Sequence, residues 1–463
     1  MSELCFLSIA EAARAIAARD LSPVALTEAF LARIEALDGT YRCFVRLRAE
    51  DALADARAAE RDIAAGRYRG PLHAIPIGLK DIVDTAGIGT ENGSALDRGR
   101  VPDRDAACWA RLKAAGAILL GKLQTHEFAI GGPQFLEDGS VRAANPWGRD
   151  RYMGGSSSGP ASAVALGLCM GAVGTDTAGS IRIPAAYCGI FGHKPSHGMV
   201  GLAGIAPLSA TVDHAGPMTW TAEDGALMLA AMAEPVRALG PAPDLATRPD
   251  GDLRGLRIGF ARHWHSEDIP ATPEMAAALE DAAGVFARLG AEVEEMRLPD
   301  LGEATACNTV IYLAEAFAHY RDRLASYWRD WTPTARDRLA LGALVSADDL
   351  ARARQGRDES MRAFGVAMAG FDLVLTACVP QVAPLLSATR GLEHIYGVVE
   401  GPAFDAAFNL WGAPAASICS GFDAAGLPLA VQLGALPGRD ADVLRAAIAY
   451  ERVTPWRDRR PAP

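Results

Sequence analysis

Lysine is scarce in this sequence. Lysine and arginine together number 45, yet only Lys80, Lys113, Lys122 and Lys194 are lysines. Each of them asks for a reason that an arginine here does not. No two of the eight cysteines stand as C-x-x-C, which removes a zinc ribbon or a dense disulfide framework. Cys108, Cys169, Cys188, Cys378 and Cys419 sit among apolar or small residues, where reduced, buried thiols are expected. Long apolar runs are missing too. The longest, near 164–174 and 226–233, fall well short of the ~20 residues of a membrane span. The start, "MSELCFLSIAEAARAIAARD", has no basic leader and no cleavage motif, so a cytoplasmic protein is expected. A formal net charge of −11 argues against a nucleic-acid or anionic-membrane surface.

What is present is globular composition: 463 residues, half of them apolar and 22% charged, enough for a large core. Residues 8–36 read as two amphipathic helices broken at "DLSP", and 50–66 as a third closed by Gly66. "HAIPIGLKDIVDTAG" changes to short apolar stretches punctuated by Gly and Pro, the pattern of strands entering a site. Residues 105–116 read as a helix, "AILLG" as a buried strand and "SAVALGLCMG" as a tightly packed small-residue helix. "GLRIGFAR", a helix from Thr272-Pro273 to about Leu289, and "AEVEEMRLP" compose a β-α-β unit. Residues 300–370 read as mostly helical, and "FDLVLTACVP" and "PLAVQLGAL" as strands. Alternation without repeats or long linkers predicts one large α/β domain over 1–463.

Several short patterns compete for a chemical reading. Gly155-Ser156-Ser157-Ser158-Gly159 matches G-x-S-x-G, but the polar "NPWGRDRYM" precedes it where a nucleophile elbow needs an apolar strand. Gly116 to Lys122 resembles a phosphate loop, but Leu123 stands where Ser or Thr would hold magnesium. His193 and His197 are separated by Pro195, which breaks any helix that would align them on a metal. His263-x-His265 reads as a loop pair. Lys80 ends the apolar "IPIGL", where either pairing with Asp81 or Asp84 or a catalytic role fits.

Three segments share one pattern: "GLKDIVDTAG" at 78–87, "GGSSSGPASA" at 154–163 and "GTDTAGSIRIPAAYCGIFGHKP" at 174–195. In wording and spacing they resemble the amidase signature family. "RGPLHAIPIGLKD", "GAILLGKLQTHEFAIGG", "VDHAGPM" and "FNLWGAPAASICSGFDAAGLPLAVQLGA" extend the likeness over nearly the whole chain. The resemblance implies a central twisted, mixed β-sheet with helices on both faces. It divides the chain into N-terminal helices (1–66), a catalytic core (67–235), a variable substrate-side helical region (about 300–395) and a C-terminal return to the core (396–463). It also implies that Ser180 is the nucleophile, that Ser156 follows a cis peptide bond and relays its proton, and that Lys80 is the base.

Each role has a physical reason. A hydroxyl needs a base to attack an amide carbonyl, and Ser-Lys pairs are a known alternative to Ser-His-Asp. Lysine serves only when neutral, and an apolar strand such as "IPIGL" would desolvate it. Small residues before Ser180 let the backbone N–H groups of Thr177, Ala178, Gly179 and Ser180 approach a developing oxyanion. Ser157 and Ser158 read as supporting hydrogen-bond partners or helix N-caps, and Asp176 and Arg182 as a pair holding the loop's shape. Cys188, with no base and no electropositive setting beside it, reads as core. Phe128, Ile130, Gly131, Phe135 and Tyr312 are candidates for the acyl pocket, with Phe317 and Tyr320 on the same helix as Tyr312. Glu315 and Arg321 are candidates for gripping a charged substrate end.

The expected activity is hydrolysis of the C–N bond of a small-molecule amide, with carbamates and urea-derived substrates open, through a seryl acyl-enzyme. The alternative is the glutaminase-type subunit of a tRNA-dependent amidotransferase. Against that alternative stand departures such as Ala178 for the family's usual glycine, His193, Met199 and Trp220. An inactive scaffold is disfavoured because all three catalytic positions are filled. No metal or cofactor is implied, and a homodimer is one assembly the family allows.

Overall fold

A computed structural model describes residues 3–136, 141–234, 251–389 and 403–462. The expected core boundary at 235, the 137–140 end of the loop at 125–140, the 390–395 end of the helical region and residues 396–402 lie outside the described residues.

The helix starts follow capping chemistry. Ser8 and Glu11 form a capping box at Ile9–Ala18, and Ser22 caps Pro23–Tyr41 with proline in its first turn. The second helix outruns the expected stop at 36. Gly39 stays helical, and the end comes at Arg42 in the left-handed conformation, with Asp38 accepting from the Cys43 N–H.

Eleven strands form one sheet. They are β1 (Phe44–Leu47), β2 (Pro76–Lys80), β3 (Ile118–Leu123), β4 (Gly171–Asp176), β5 (Phe191–Lys194) and β6 (His214–Thr219), followed by β7 (Arg257–Phe260), β8 (Glu292–Glu295), β9 (Leu373–Ala377), β10 (Ala415–Phe422) and β11 (Pro428–Gly434). Their spatial order is β1-β3-β2-β4-β6-β5-β10-β11-β9-β7-β8. The sheet is mixed, with β3-β2-β4 and β9-β7-β8 parallel and the strands between them antiparallel. Helices cover both faces. The β7-helix-β8 unit stands where the sequence places it, its helix Pro273–Arg288 capped by Thr272.

The parallel pairing of β2 with β4 positions the site. Leu79 lies opposite Val173, so the carboxyl ends of the two strands arrive side by side. Lys80 ends one and Asp176 ends the other. Ligands in open α/β sheets collect at such strand ends.

Candidate active site

Lys80 is fully buried. Its Nζ donates to Ser156 Oγ at 2.7 Å, Thr175 Oγ1 at 2.8 Å and Ser157 Oγ at 3.0 Å. All three partners are neutral hydroxyls, and neither Asp81 nor Asp84 pairs with it. Burial pulls the amine down to about 7, against the opposing charges of Asp176 and Asp213. An amine in that range exchanges a proton at neutral pH. Two other lysines are buried, but their partners lead nowhere. Lys122 is held by the Val83 carbonyl, Thr90 Oγ1 and, at 4.0 Å, Asp81, and Lys194 donates to the Ala413 carbonyl.

The turn at 154–157 brings in the serines. Its Gly155–Ser156 peptide is cis. A Cβ on Gly155 would run into the His126 ring, so only glycine fits there. Ser157, at the centre of the G-x-S-x-G match, does not border the cavity described below. Its hydroxyl donates to the Thr175 carbonyl at 3.1 Å and accepts from the Thr175 N–H at 3.2 Å. It heads helix Ser158–Ala165 without capping it, because that oxygen is already engaged by Lys80 and Thr175. The expectation of an N-cap is corrected accordingly.

After β4 the chain turns through Thr177–Ile181 into helix Arg182–Cys188. Asp176 shapes the turn by accepting from Gly179 N at 2.7 Å and Ile181 N at 3.1 Å. Arg182 grips the same carboxylate at both oxygens, each at 3.0 Å, and both side chains are fully buried. Burial alone would raise the Asp176 carboxyl, but the Arg182 guanidinium holds it well below the usual carboxylate range. Gly179 sits at φ +110°, and a Cβ there would lie 2.8 Å from that of Asp405. The Gly179 N–H is committed to Asp176, so its expected place among four oxyanion donors is corrected. Thr177, Ala178 and Ser180 border the cavity, and Gly179 does not.

That cavity has a volume of about 320 Å³, the small end of ligand sites. Ser156 and Ser180 both open onto it, as do Ile130, Gly131 and Tyr312 from the expected pocket. Phe128 and Phe135 do not. Phe128 turns away into a satellite core, its ring 4.9 Å from Tyr320 and 5.1 Å from Trp331. Phe135 lines a neighbouring cavity with Asp81 and Arg98. Tyr320 is buried, and its hydroxyl donates to the Pro207 carbonyl; Phe317 packs on the same cluster. Glu315 accepts from Ser209 and Thr211, and the exposed Arg321 faces Asp322, so neither reaches the substrate space.

Arg338, which the sequence left unmarked, borders the cavity instead. Its Nη1 donates to the Ile130 carbonyl at 2.9 Å. Among the described residues no Asp, Glu or Lys lines the cavity beside it. None of the histidine pairs lines the cavity: His193 shares a hydrogen bond with Asp440 at 3.0 Å, His197 lies edge-on to His214, and His263 and His265 are buried in a helical segment where a loop was expected. Among the described residues no group of three His, Cys, Asp or Glu is placed to hold a metal. No helix among them is long and apolar enough to cross a membrane.

The amidase family model matches residues 25–444. A glutamyl-tRNA(Gln) amidotransferase subunit from Chloroflexus aggregans is 36% identical over 490 residues, covering 100% of this chain and 99% of its own. The fold matches, with a TM-score of 0.87 and 29% identity, a chain from an inhibitor-bound "vestigial protein complex" tied to the evolutionary origins of an s-triazine catabolic enzyme. That match covers 96% of this chain and 98% of the other. The native peptide amidase from Stenotrophomonas maltophilia matches with a TM-score of 0.80 and 29% identity, over 98% of each chain. The chain therefore belongs to the amidase family, enzymes that hydrolyse carbon–nitrogen bonds.

Proposed function

We propose that this enzyme hydrolyses a small amide, carbamate or urea derivative that carries a carboxylate, through an acyl-enzyme on Ser180. The observation that carries the reading is a fully buried lysine bonded to Ser156 at the floor of the cavity that also holds Ser180. Neutral Lys80 takes the Ser156 hydroxyl proton as Ser156 takes that of Ser180, and Ser180 Oγ bonds to the carbonyl carbon. The N–H groups of Thr177, Ala178 and Ser180 receive the oxyanion. The proton returns through Ser156 to the departing nitrogen as the C–N bond breaks. Water then adds to the acyl carbon by the same relay and releases Ser180. Ser157 and Thr175 hold the Lys80 amine in place, and Arg182 holds Asp176, which shapes the loop.

Arg338 supports an anionic substrate end, because a guanidinium with no carboxylate beside it among the described residues lining a small cavity favours one. The 36% likeness to an amidotransferase subunit favours a second reading, glutamine hydrolysis with ammonia passed to a partner. Glutamine also has a carboxylate, but its ammonium group calls for an anion, and no carboxylate side chain among the described residues borders the cavity. The first reading is therefore preferred.

Ammonia release from the purified chain is the test, with carboxylated amides, carbamates and ureas set beside their uncharged analogues and glutamine. Turnover of a carboxylated non-amino substrate, lost in Ser180→Ala, supports the first reading. Turnover of glutamine alone supports the second.

A further inference from the structure

The loop at 206–213 passes between the helix that lines the cavity, Leu301–Ser326, and the turn that carries Ser180. It is gripped from both sides. From the helix, Glu315 Oε2 accepts from Ser209 Oγ at 2.6 Å and Thr211 N at 3.1 Å, and its Oε1 accepts from Thr211 Oγ1 at 2.6 Å. Tyr320 donates to the Pro207 carbonyl at 2.7 Å. From the loop's own end, Asp213 Oδ2 accepts from Leu208 N at 2.8 Å and Ser209 N at 2.9 Å. Asp213 Oδ1 accepts from Thr177 Oγ1 at 2.6 Å. Ser209 thus joins the two carboxylates, its N–H on Asp213 and its O–H on Glu315. The same helix reaches Thr177 directly, since Asn308 Nδ2 donates to its carbonyl at 3.3 Å. Thr177, which borders the cavity, is thus held by side chain and carbonyl.

We propose that Asp213 is a positioning residue of the hydrolysis, fixing the oxyanion turn through Thr177 and facing Lys80 with its negative charge, while Glu315 anchors it to the substrate-lining helix. This role rests on the Lys80-Ser156-Ser180 reading above. Lys80 is faced by Ser156 and Ser157 from the cis turn, by Thr175 and Asp176 from β4, and by Asp213. Asp213 in turn is faced by Thr177, the Leu208 and Ser209 amides, Glu315, Tyr320 and Lys80. Burial pushes the Asp213 carboxyl up to about 6. Where it is ionised, its charge favours the charged Lys80 amine. Removing that charge makes the amine easier to deprotonate.

The test is the rate at which an alkyl fluorophosphonate modifies Ser180, followed against pH and mapped by peptide mass spectrometry. In the wild-type enzyme the rate is expected to rise through a pH near 7 to a plateau. Asp213→Asn is expected to move that rise down by on the order of one pH unit and to lower the plateau by on the order of 10-fold. Glu315→Gln keeps the Asp213 carboxylate and removes a like charge beside it, so it is expected to lower the plateau several-fold with the rise unmoved. Thr177→Val removes a hydrogen bond that favours the ionised Asp213, so it is expected to lower the plateau and to move the rise down by less than Asp213→Asn does. A merely structural role would not separate the two quantities in this way. An Asp213→Asn enzyme with the wild-type pH profile overturns the proposal. So does a wild-type plateau in Thr177→Val, the variant that keeps the test open if Asp213→Asn does not fold. Wild-type label on a residue other than Ser180 removes the reading beneath the proposal, and the proposal with it.

Discussion

Replacing Arg182 by methionine tests how the nucleophile turn is held. The guanidinium is fully buried and donates twice to Asp176 and once each to the Asp405 carbonyl, Gln432 Oε1 and Asn409 Oδ1, and its Nη1 also lies 3.2 Å from the Asp405 carboxyl. Methionine fills much of the volume but leaves Asp176 buried with only amide donors: Gly179 N, Ile181 N and Asn409 Nδ2. Stripping one partner from a buried pair costs about 3–5 kcal/mol, against a total stability on the order of 5–15 kcal/mol. The pH dependence carries the signature. In the wild type the Asp176 carboxyl lies below its unfolded value, so its contribution is present above about pH 4 and is lost as pH falls further. In Arg182→Met, burial without the cation lifts the carboxyl above that unfolded value. As pH drops, the folded variant then takes up a proton before the unfolded chain does, and it regains stability relative to wild type. Urea unfolding at pH 7.5 and 5.5 is the assay. A difference of several kcal/mol that narrows toward pH 5.5 is expected. A difference below about 1 kcal/mol, or one that widens on acidification, refutes the reasoning.

Other consequences follow from the same geometry. Arg338→Gln is expected to raise KM for a carboxylated substrate by on the order of 30-fold, about 2 kcal/mol, with kcat changed far less; equal losses for charged and uncharged analogues would count against an anion site. Ser156→Ala is expected to cost far more activity than Ser157→Ala, because Ser157 braces Lys80 while Ser156 also reaches the cavity; steady-state rates of the two variants decide this. The buried Lys80 amine binds its proton less tightly in the folded chain than in the unfolded one, so above about pH 7 it adds stability as pH rises. The stability gap between wild type and Lys80→Met should therefore move in favour of wild type between pH 7 and 9, by at most about 1.4 kcal/mol per pH unit. A flat gap would show that Lys80 is not desolvated.

Much of this site is legible in the chain because it lies in contiguous words. Lys80 closes an apolar strand, and "DTAGSIR" holds Asp176, the small residues, Ser180 and Arg182 within one turn, so local spacing sets who meets whom. The pairing of β2 with β4 and the docking of the 154–157 turn on Lys80 and Thr175 then supply the long-range steps. What the sequence hides is the direction in which side chains point from irregular segments. Phe128 and Phe135 belong to a loop whose apolar look fits a pocket, yet Phe128 has φ +47° and turns to Tyr320 and Trp331. Arg338 is one of two arginines on a helix of weak pattern, and only the packing of Pro333–Gly342 against Leu301–Ser326 brings it to the cavity. Thr175 and Asp213 carry no signal beyond their places in "GTDTAGS" and "VDHAGPM". Glu315 looks like a ligand for a charged substrate, and only the folded loop at 206–213 shows what it binds.

The central claim is that Lys80, through Ser156, activates Ser180. It is tested most directly by fluorophosphonate labelling of the wild-type, Lys80→Ala and Ser156→Ala enzymes, with the modified peptide mapped. The account predicts label on Ser180 in the wild type and a loss of at least about 100-fold in labelling rate in both variants. Label on Ser157, or on Ser180 at an undiminished rate without Lys80, would contradict it.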